Sequence, residues 1–411
     1  MRVCVIGGGA SGSMCATMIA RKGHEVTLFE KNEKIGKKIY ITGKGRCNVT
    51  NATTGQDFLK NVVGGKKFVM GAVTRFDSND TIDFFENVGV PLKIERGNRV
   101  FPVSDKSSDI IKGLEKAMHW AGVNIVLNTT VNSIVVEEGK VVGVVANGKR
   151  YDFDAVIVAT GGISYPSTGS TGDGYKFAKE LGHTVVDPVP ALCAIILNSN
   201  EPEKLEGLSL KNVTLTSKVD DKVIYKTDIG EMLFTKNGVS GPLVLSTSSF
   251  INRQDLSHLK LFIDFKPAIS IDALLNRIDK DIVELKSKQV TSFLEGFLPK
   301  SFVPIFAKRL GVNLTMKANQ LSRENRKKCA FLLKNYDFSV KSLENFDAAV
   351  VTAGGVNLKE INPKFMRSKI VSGLYFIGEV LDIDALTGGF NLQLAFATAV
   401  TCSSDFADLK V

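Results

Sequence analysis

The chain has 411 residues, long for one hydrophobic core and suited to two or three domains, with 44% hydrophobic and 23% charged residues, the balance of an ordinary soluble globular protein. No apolar run reaches the ~18 residues of a membrane span, and a first strand opening at residue 3 leaves no room for a signal peptide, so a cytoplasmic protein without membrane contact is expected. The net charge of +9 is localised: residues 286–334 carry eleven Lys or Arg against two acids, which marks either a polyanion-binding surface or a Lys-rich solvated face.

In chain order, Val3 to Ile6 reads as a buried strand, Gly7, Gly9 and Gly12 as a turn, Ser11 to Lys22 as a helix, and His24 to Phe29 as a second strand that ends on Glu30. This is a complete dinucleotide fingerprint. Gly7 permits the tight turn, Gly9 lets backbone approach a pyrophosphate, and Gly12 lets helix and strand pack closely. The helix N-terminus then directs the N–H groups of Ala10, Ser11 and Gly12 at phosphates. Glu30 suits a ribose diol and disfavours a 2′-phosphate, which leaves FAD and NAD open. Six cysteines (4, 15, 47, 193, 329, 402) and four histidines are scattered without metal-ligand spacing, so no metal is expected and buried thiols are the default.

Residues 31–51 form a loop with glycines at 36, 43 and 45 and with Lys31, Lys37, Lys38 and Arg46 among its cations. Its run Gly36-Lys-Lys-Ile-Tyr-Ile-Thr42-Gly-Lys-Gly45-Arg46-Cys47-Asn48-Val-Thr-Asn51, following that fingerprint, resembles the BaiN/RdsA family of bacterial flavoproteins. Later stretches resemble the same family in the same order. They are Arg99-Val-Phe-Pro102-Val-Ser104; Ala159-Thr160-Gly161-Gly162 with its extension through Ser164, Tyr165 and Asp173; Leu233-Phe-Thr-Lys236-Asn-Gly-Val-Ser-Gly-Pro242; Val351-Thr352-Ala-Gly-Gly-Val356; and Gly378-Glu379 through Gly389-Phe390-Asn391-Leu392. Lys236 departs from the family's usual His, so no role of that imidazole carries over.

Between these motifs, 52–120 reads as helical, 123–158 as a strand meander, 192–265 as short strands of a small β domain, and 270–335 as helices. Phe293, Phe297, Phe302, Phe306 and Phe331 recur at helical spacing and are expected in the core. The expectation is an α/β fold: a Rossmann-type FAD-binding domain of the two-dinucleotide-fold kind at 1–187 and 346–411, an inserted barrel-like β domain at 188–269 and 336–345, and a basic helical domain at 270–335.

The resemblance implies FAD held by the fingerprint, by Lys31, Lys37, Lys38, Gly45, Arg46, Cys47 and Asn48, by backbone near Val131 at the adenine, by Thr160 and Gly161, by Gly378, Glu379 and Asp382 at the ribityl chain, and by the helix opening at Gly389. That last N-terminus, through Phe390, Asn391 and Leu392, would stabilise an anionic reduced flavin by about 1–2 kcal/mol. With a single dinucleotide fingerprint, NAD(P)H is expected only as a transient reductant. The family's chemistries are hydride transfer to an activated C=C bond, of uridine in ribosomal RNA or of a 3-oxo-4-ene bile-acid steroid, and amine oxidation of a small aminoketone. The basic stretch 286–334 favours RNA. Cys47 and Tyr165 are the candidate proton donors.

Overall fold

The computed structural model describes residues 1–285 and 287–408, so Lys286, the first cation of the basic stretch, lies outside the described residues. Two compact units result, one made of Met1–Pro190 with Phe346–Val411, the other of Ala191–Asn345.

In the first unit, strand β1 (Arg2–Ile6) lies parallel to Ala155–Val158 on one side and to β2 (Glu25–Phe29) on the other, with Val3 opposite both Ala155 and Val26. Asn124–Val126 and Leu374–Phe376 extend the parallel sheet, and two short antiparallel strands finish the edge beyond Leu374. Val3–Ile6 is buried throughout, as a strand covered on both faces must be. Helix α1 (Ala10–Ala20) follows, buried along nearly its whole length because the helix Phe390–Ser403 packs on it. An all-round apolar helix is stable only in such a place. The predicted meander is a three-stranded antiparallel sheet of Val131–Glu137, Lys140–Ala146 and Lys149–Asp152.

The Phe390 helix is fastened to the middle of the unit by one side chain. Gln393, fully buried, accepts from the hydroxyls of Thr50 at 2.6 Å and Thr81 at 2.7 Å, and its amide donates to the carbonyls of Phe76 and Asp77, both at 2.9 Å. All four hydrogen-bonding positions of that amide are used, which fixes both the register of the helix and the end of the 36–51 segment.

In the second unit, the strand Ser209–Val219 pairs along its first part with Gly230–Thr235 and along its second with Leu259–Asp264. The sheet passes from Gly230–Thr235 through Gly238–Ser240, Ile195–Leu197 and Tyr336–Leu343 to Leu259–Asp264, and so closes into an antiparallel barrel, with Lys222–Lys226 as a side hairpin. The sequence divides this stretch into a β part and a helical part. In the structure one continuous core joins them, since Phe234 and Tyr336 from the strands, and Phe265 just past the end of one, pack with Phe302 and Phe306 from the helical stretch.

Two local readings change. Pro242–Ile251 is a helix where short strands are expected: its Val, Thr and Ser content favours extended chain, but Pro242 starts a helix well and Thr247 returns its hydroxyl to the Leu243 carbonyl at 2.8 Å. Phe331 is not core. The helix Arg323–Lys334 buries Cys329, Ala330, Leu332 and Leu333, and Phe331 falls on the opposite face. Among the described residues no helix is long and apolar enough to cross a membrane.

Replacing Gln393 with Leu leaves two hydroxyls and two carbonyls without their buried partner, and the expected loss is about 2–4 kcal/mol. Urea unfolding of the Q393L variant should show a lowered midpoint at unchanged slope.

Candidate functional site

The glycine turn is where the sequence dictates geometry most strictly. Gly7 sits at φ +106°, and a Cβ there would stand 2.7 Å from the Ala159 carbonyl oxygen. At Gly12 a Cβ would come within 1.9 Å of the Gly7 carbonyl oxygen, so any side chain would push α1 off the strand end. Gly9 is different: nothing lies within 4 Å of its Cβ position, so open space faces the helix start. The first intrahelical bond runs from Ser13 N–H to Gly9 O, which leaves the N–H groups of Ala10, Ser11 and Gly12 without an intrahelical acceptor. Open space before three such donors fits a pyrophosphate.

Glu30 is buried at the end of β2. Its carboxylate accepts from Gly8 N–H at 2.8 Å, and from the N–H of Asn32 at 2.8 Å and its amide at 2.7 Å. These bonds hold the acid against the glycine turn and leave it capacity for a further donor. Val131, the residue expected near an adenine, opens the meander and is buried opposite Ala146.

The 36–51 segment is a loop only in part. Lys37–Ile41 is a short helix, and a tight turn through Gly43, Lys44 and Gly45 has positive φ at all three. Four cations in and before this segment are engaged within the chain, while Lys44 is exposed and has no ion-pair partner among the described residues. Lys31 pairs with Asp173 at 2.7 Å, Lys37 with Glu33 at 2.8 Å, and Lys38 with Glu379 at 2.8 Å. Arg46 bridges Glu95 and Asp105 and lies 4.1 Å over the Phe101 ring. The guanidinium of Arg46 is thus spent on binding the turn to the Arg99–Pro102 strand and its neighbours, while Gly45 beside it has open space at its Cβ position.

Lys38 is the hub that brings separated motifs together. Its ammonium contacts both oxygens of Glu379 and the Ser164 hydroxyl at 2.6 Å. Glu379 also accepts from Thr352 N–H at 2.8 Å, and the Thr352 hydroxyl accepts from the N–H of Ile163 at 2.9 Å and of Ser164 at 3.1 Å. Four motifs far apart in sequence meet in this network. Ser164 and Thr352 belong to it although sequence reasoning gave neither a role. The available signal was that both lie inside motifs already singled out for other residues.

Gly378, at φ +72°, packs on Ser11 so closely that a Cβ would meet its hydroxyl at 2.5 Å, which brings this segment against α1. The helix Phe390–Ser403 opens after Gly389, whose Cβ would clash with Thr50 backbone at 2.3 Å. Its first intrahelical bond is Gln393 N–H to Gly389 O, so the N–H groups of Phe390, Asn391 and Leu392 have no intrahelical acceptor. The side chains there are structural: Phe390 packs edge-on against Phe58, and Asn391 bonds the N–H and C=O of Ala385. The unpaired backbone N–H groups of these residues are what such a helix start offers a ligand.

Buried polar atoms without a hydrogen-bond partner among the described residues mark the same region. They include Asn48 Oδ1, Thr160 Oγ1 and the Tyr175 hydroxyl. Burial, reinforced by the charges of Glu379 and Asp382, pushes the Tyr175 phenol up. Such orphans are costly unless a ligand satisfies them, and two of the three are residues expected at the cofactor. Gly161 has a positive φ of +72° next to Thr160. The donor set, the open helix starts and the orphaned oxygens together fit a dinucleotide with a flavin.

The two candidate proton donors differ in setting. Cys47 is fully buried, and burial pushes its thiol up to about 12 against a weak opposing bond from Thr42. It stays neutral and shielded at physiological pH. Tyr165 is partly exposed, holds a left-handed φ of +51°, and follows Ser164 of the Lys38 network. Cys47 shares this backbone, at φ +59°, so the strain that concentrates at functional sites marks both residues and only exposure separates them.

The model of a family described as HI0933-like protein Rossmann domain matches residues 1–405. The chain is 30% identical over 408 residues to 3-dehydro-bile acid delta(4,6)-reductase of Clostridium scindens, with 97% of each chain covered. To ribosomal RNA dihydrouridine synthase of Haemophilus influenzae it is 31% identical over 405 residues, covering 97% of this chain and 96% of the other. A solved 3-ketosteroid-delta4-(5alpha)-dehydrogenase of Rhodococcus jostii, in complex with 4-androstene-3,17-dione, aligns at TM-score 0.52 and 14% identity, covering 98% of this chain and 96% of that one, which shows a shared fold.

Two outcomes follow from the geometry. Gly12→Ala forces α1 from the turn, and the purified variant should retain flavin at least ~10-fold more weakly by absorbance titration, equivalent to ~1.4 kcal/mol. The Cys47 thiol, protonated until far above neutrality, should resist iodoacetamide in the folded protein at about pH 8 and react once unfolded, as peptide mass mapping would show.

Proposed function

Because the chain belongs to the HI0933-like Rossmann family and is an FAD-dependent oxidoreductase, we propose that it reduces an activated carbon–carbon double bond, and that its substrate is uridine in large-subunit ribosomal RNA, converted to dihydrouridine. FAD, when bound, supplies the hydride. NAD(P)H is the transient reductant in this reading, since the chain carries one dinucleotide fingerprint.

The chain's own residues bind, orient and protonate. The N–H groups at the starts of α1 and of the Phe390 helix hold anionic parts of the cofactor, and Glu30 accepts from its ribose. The Lys38–Glu379 pair, braced by Ser164 and Thr352, keeps the surrounding loops in one arrangement. Tyr165 is the group assigned to deliver the proton, because the residue is partly exposed whereas Cys47 is fully buried. Both residues remain in the test.

One observation carries the choice of RNA. Of the ten cations described between 287 and 334, Lys288, Lys300, Lys308, Lys317, Arg323 and Lys327 are exposed and have no ion-pair partner among the described residues. Arg309, Arg326 and Lys334 are paired with acids. A surface of uncompensated cations suits a phosphate backbone and has no use in binding a small neutral enone. The relative named as a bile-acid reductase makes a steroid enone the competing substrate.

Deleting the gene in its source organism and restoring it tests the reading, with dihydrouridine in large-subunit ribosomal RNA measured by mass spectrometry. Loss on deletion and return on complementation are expected; an unchanged level sinks the RNA assignment and turns attention to the steroid enone. Tyr165→Phe should bind flavin normally and slow substrate-dependent reoxidation by about 10²-fold or more, while Cys47→Ala should not slow it. The reverse pattern would make Cys47 the donor.

A further inference from the structure

The helix Arg323–Lys334 carries an aromatic side chain that the fold does not use. Phe331 is 55% exposed. The other phenylalanines of the helical stretch are all engaged: Phe293 meets Phe297 edge-on at 5.4 Å, Phe297 carries the Arg277 guanidinium at 4.8 Å, and Phe302 and Phe306 pack on Tyr336. Phe331 has neither a ring nor a cation against it among the described residues.

Its neighbours on the helix surface are cations. Arg323, Lys327 and Phe331 succeed one another at intervals of four, which aligns them in one row, and all three are exposed. Lys328, three residues before Phe331, is also exposed and donates to the Leu310 carbonyl at 3.0 Å. A helical side chain covers the turn N-terminal to its own Cα, so the Phe331 ring lies toward Lys327 and Lys328. A flat apolar face bordered by ammonium groups complements a nucleobase whose phosphates lie on either side.

Resting on the RNA reading above, we propose that Phe331 is a stacking platform for an unpaired base, with Arg323 and Lys327 on the flanking phosphates, so that this helix selects single-stranded RNA over duplex. A duplex keeps its bases stacked inside and offers this row only its phosphates. The row thus supplies a form of selection that charge alone lacks.

The test is fluorescence-anisotropy titration of the holoenzyme with a single-stranded oligouridylate of roughly ten nucleotides and with a duplex of equal length, across a range of salt. The wild type is expected to prefer the single strand. Phe331→Ala should lose about ten-fold affinity for the single strand, leave duplex binding and the slope of log affinity against log salt unchanged, and be rescued by Phe331→Trp. Lys327→Met should lower that slope by about 0.7 on the single strand. If F331A binds both RNAs as the wild type does while K327M weakens both, the platform is overturned and the RNA reading stands. Equal losses on single strand and duplex in F331A overturn it as well. If the wild type shows no salt-dependent RNA binding, the RNA reading itself falls, and the platform with it.

Discussion

The ion pair between Lys38 and Glu379 is the interaction on which the site depends. Each partner is partly buried, and each is held by further hydrogen bonds, Lys38 to Ser164 and Glu379 to Ser164 and Thr352. A charge withdrawn from water is stable only when its remaining hydrogen-bonding capacity is met, and here that need draws in backbone from two more segments. The result is a junction of the 36–51 segment, the 161–165 turn, the 351–356 strand and the Gly378 loop. Each of these segments contains glycine, which leaves its backbone more conformational freedom to be restrained by such contacts.

A second constraint is steric. Gly7, Gly12, Gly378 and Gly389 each stand where a Cβ would overlap another segment's atoms, three of them against backbone or a neighbouring turn and one against Ser11. These contacts bring the two helix starts, Ala10 and Phe390, to the same unit of structure through the packing of α1 on the Phe390 helix. The chain's two sets of orphan N–H donors therefore belong to one framework. Gln393 secures the far side of that framework to Thr50, Thr81 and the turn at Phe76 and Asp77.

The second unit follows a different logic. Its barrel closes because Ser209–Val219 is long enough to pair with two different strands along its length, and the helices after Ser270 then fill the core from outside the sheet. Having buried their apolar faces, those helices leave their polar faces to solvent, and most of the cations described there have no acid partner among the described residues. The densest positive charge of the chain is thus a surface property of the helices of this unit. Arg309 is one of three cations between 287 and 334 that are paired, drawn inward by Glu201, Asp337 and the Tyr336 ring.

The sequence by itself determined the first unit's strand–turn–helix–strand start, its acid at Glu30 and the order of the later motifs, because short-range sterics dictate where glycine must stand and apolar runs dictate which strands are buried. It also located the basic stretch and the helices within it. Only the tertiary structure decided what the polar side chains do. Arg46, assigned to the flavin on local pattern, spends its charge on Glu95 and Asp105, which are distant in sequence. Ser164 and Thr352 acquire a place only when long-range folding brings them to Glu379. Phe331 shows the same limit on the apolar side: periodicity puts an aromatic on a helix but leaves the helix free to turn that face in or out. The packing of Cys329, Ala330 and Leu333 into the core settles the rotation and turns Phe331 out.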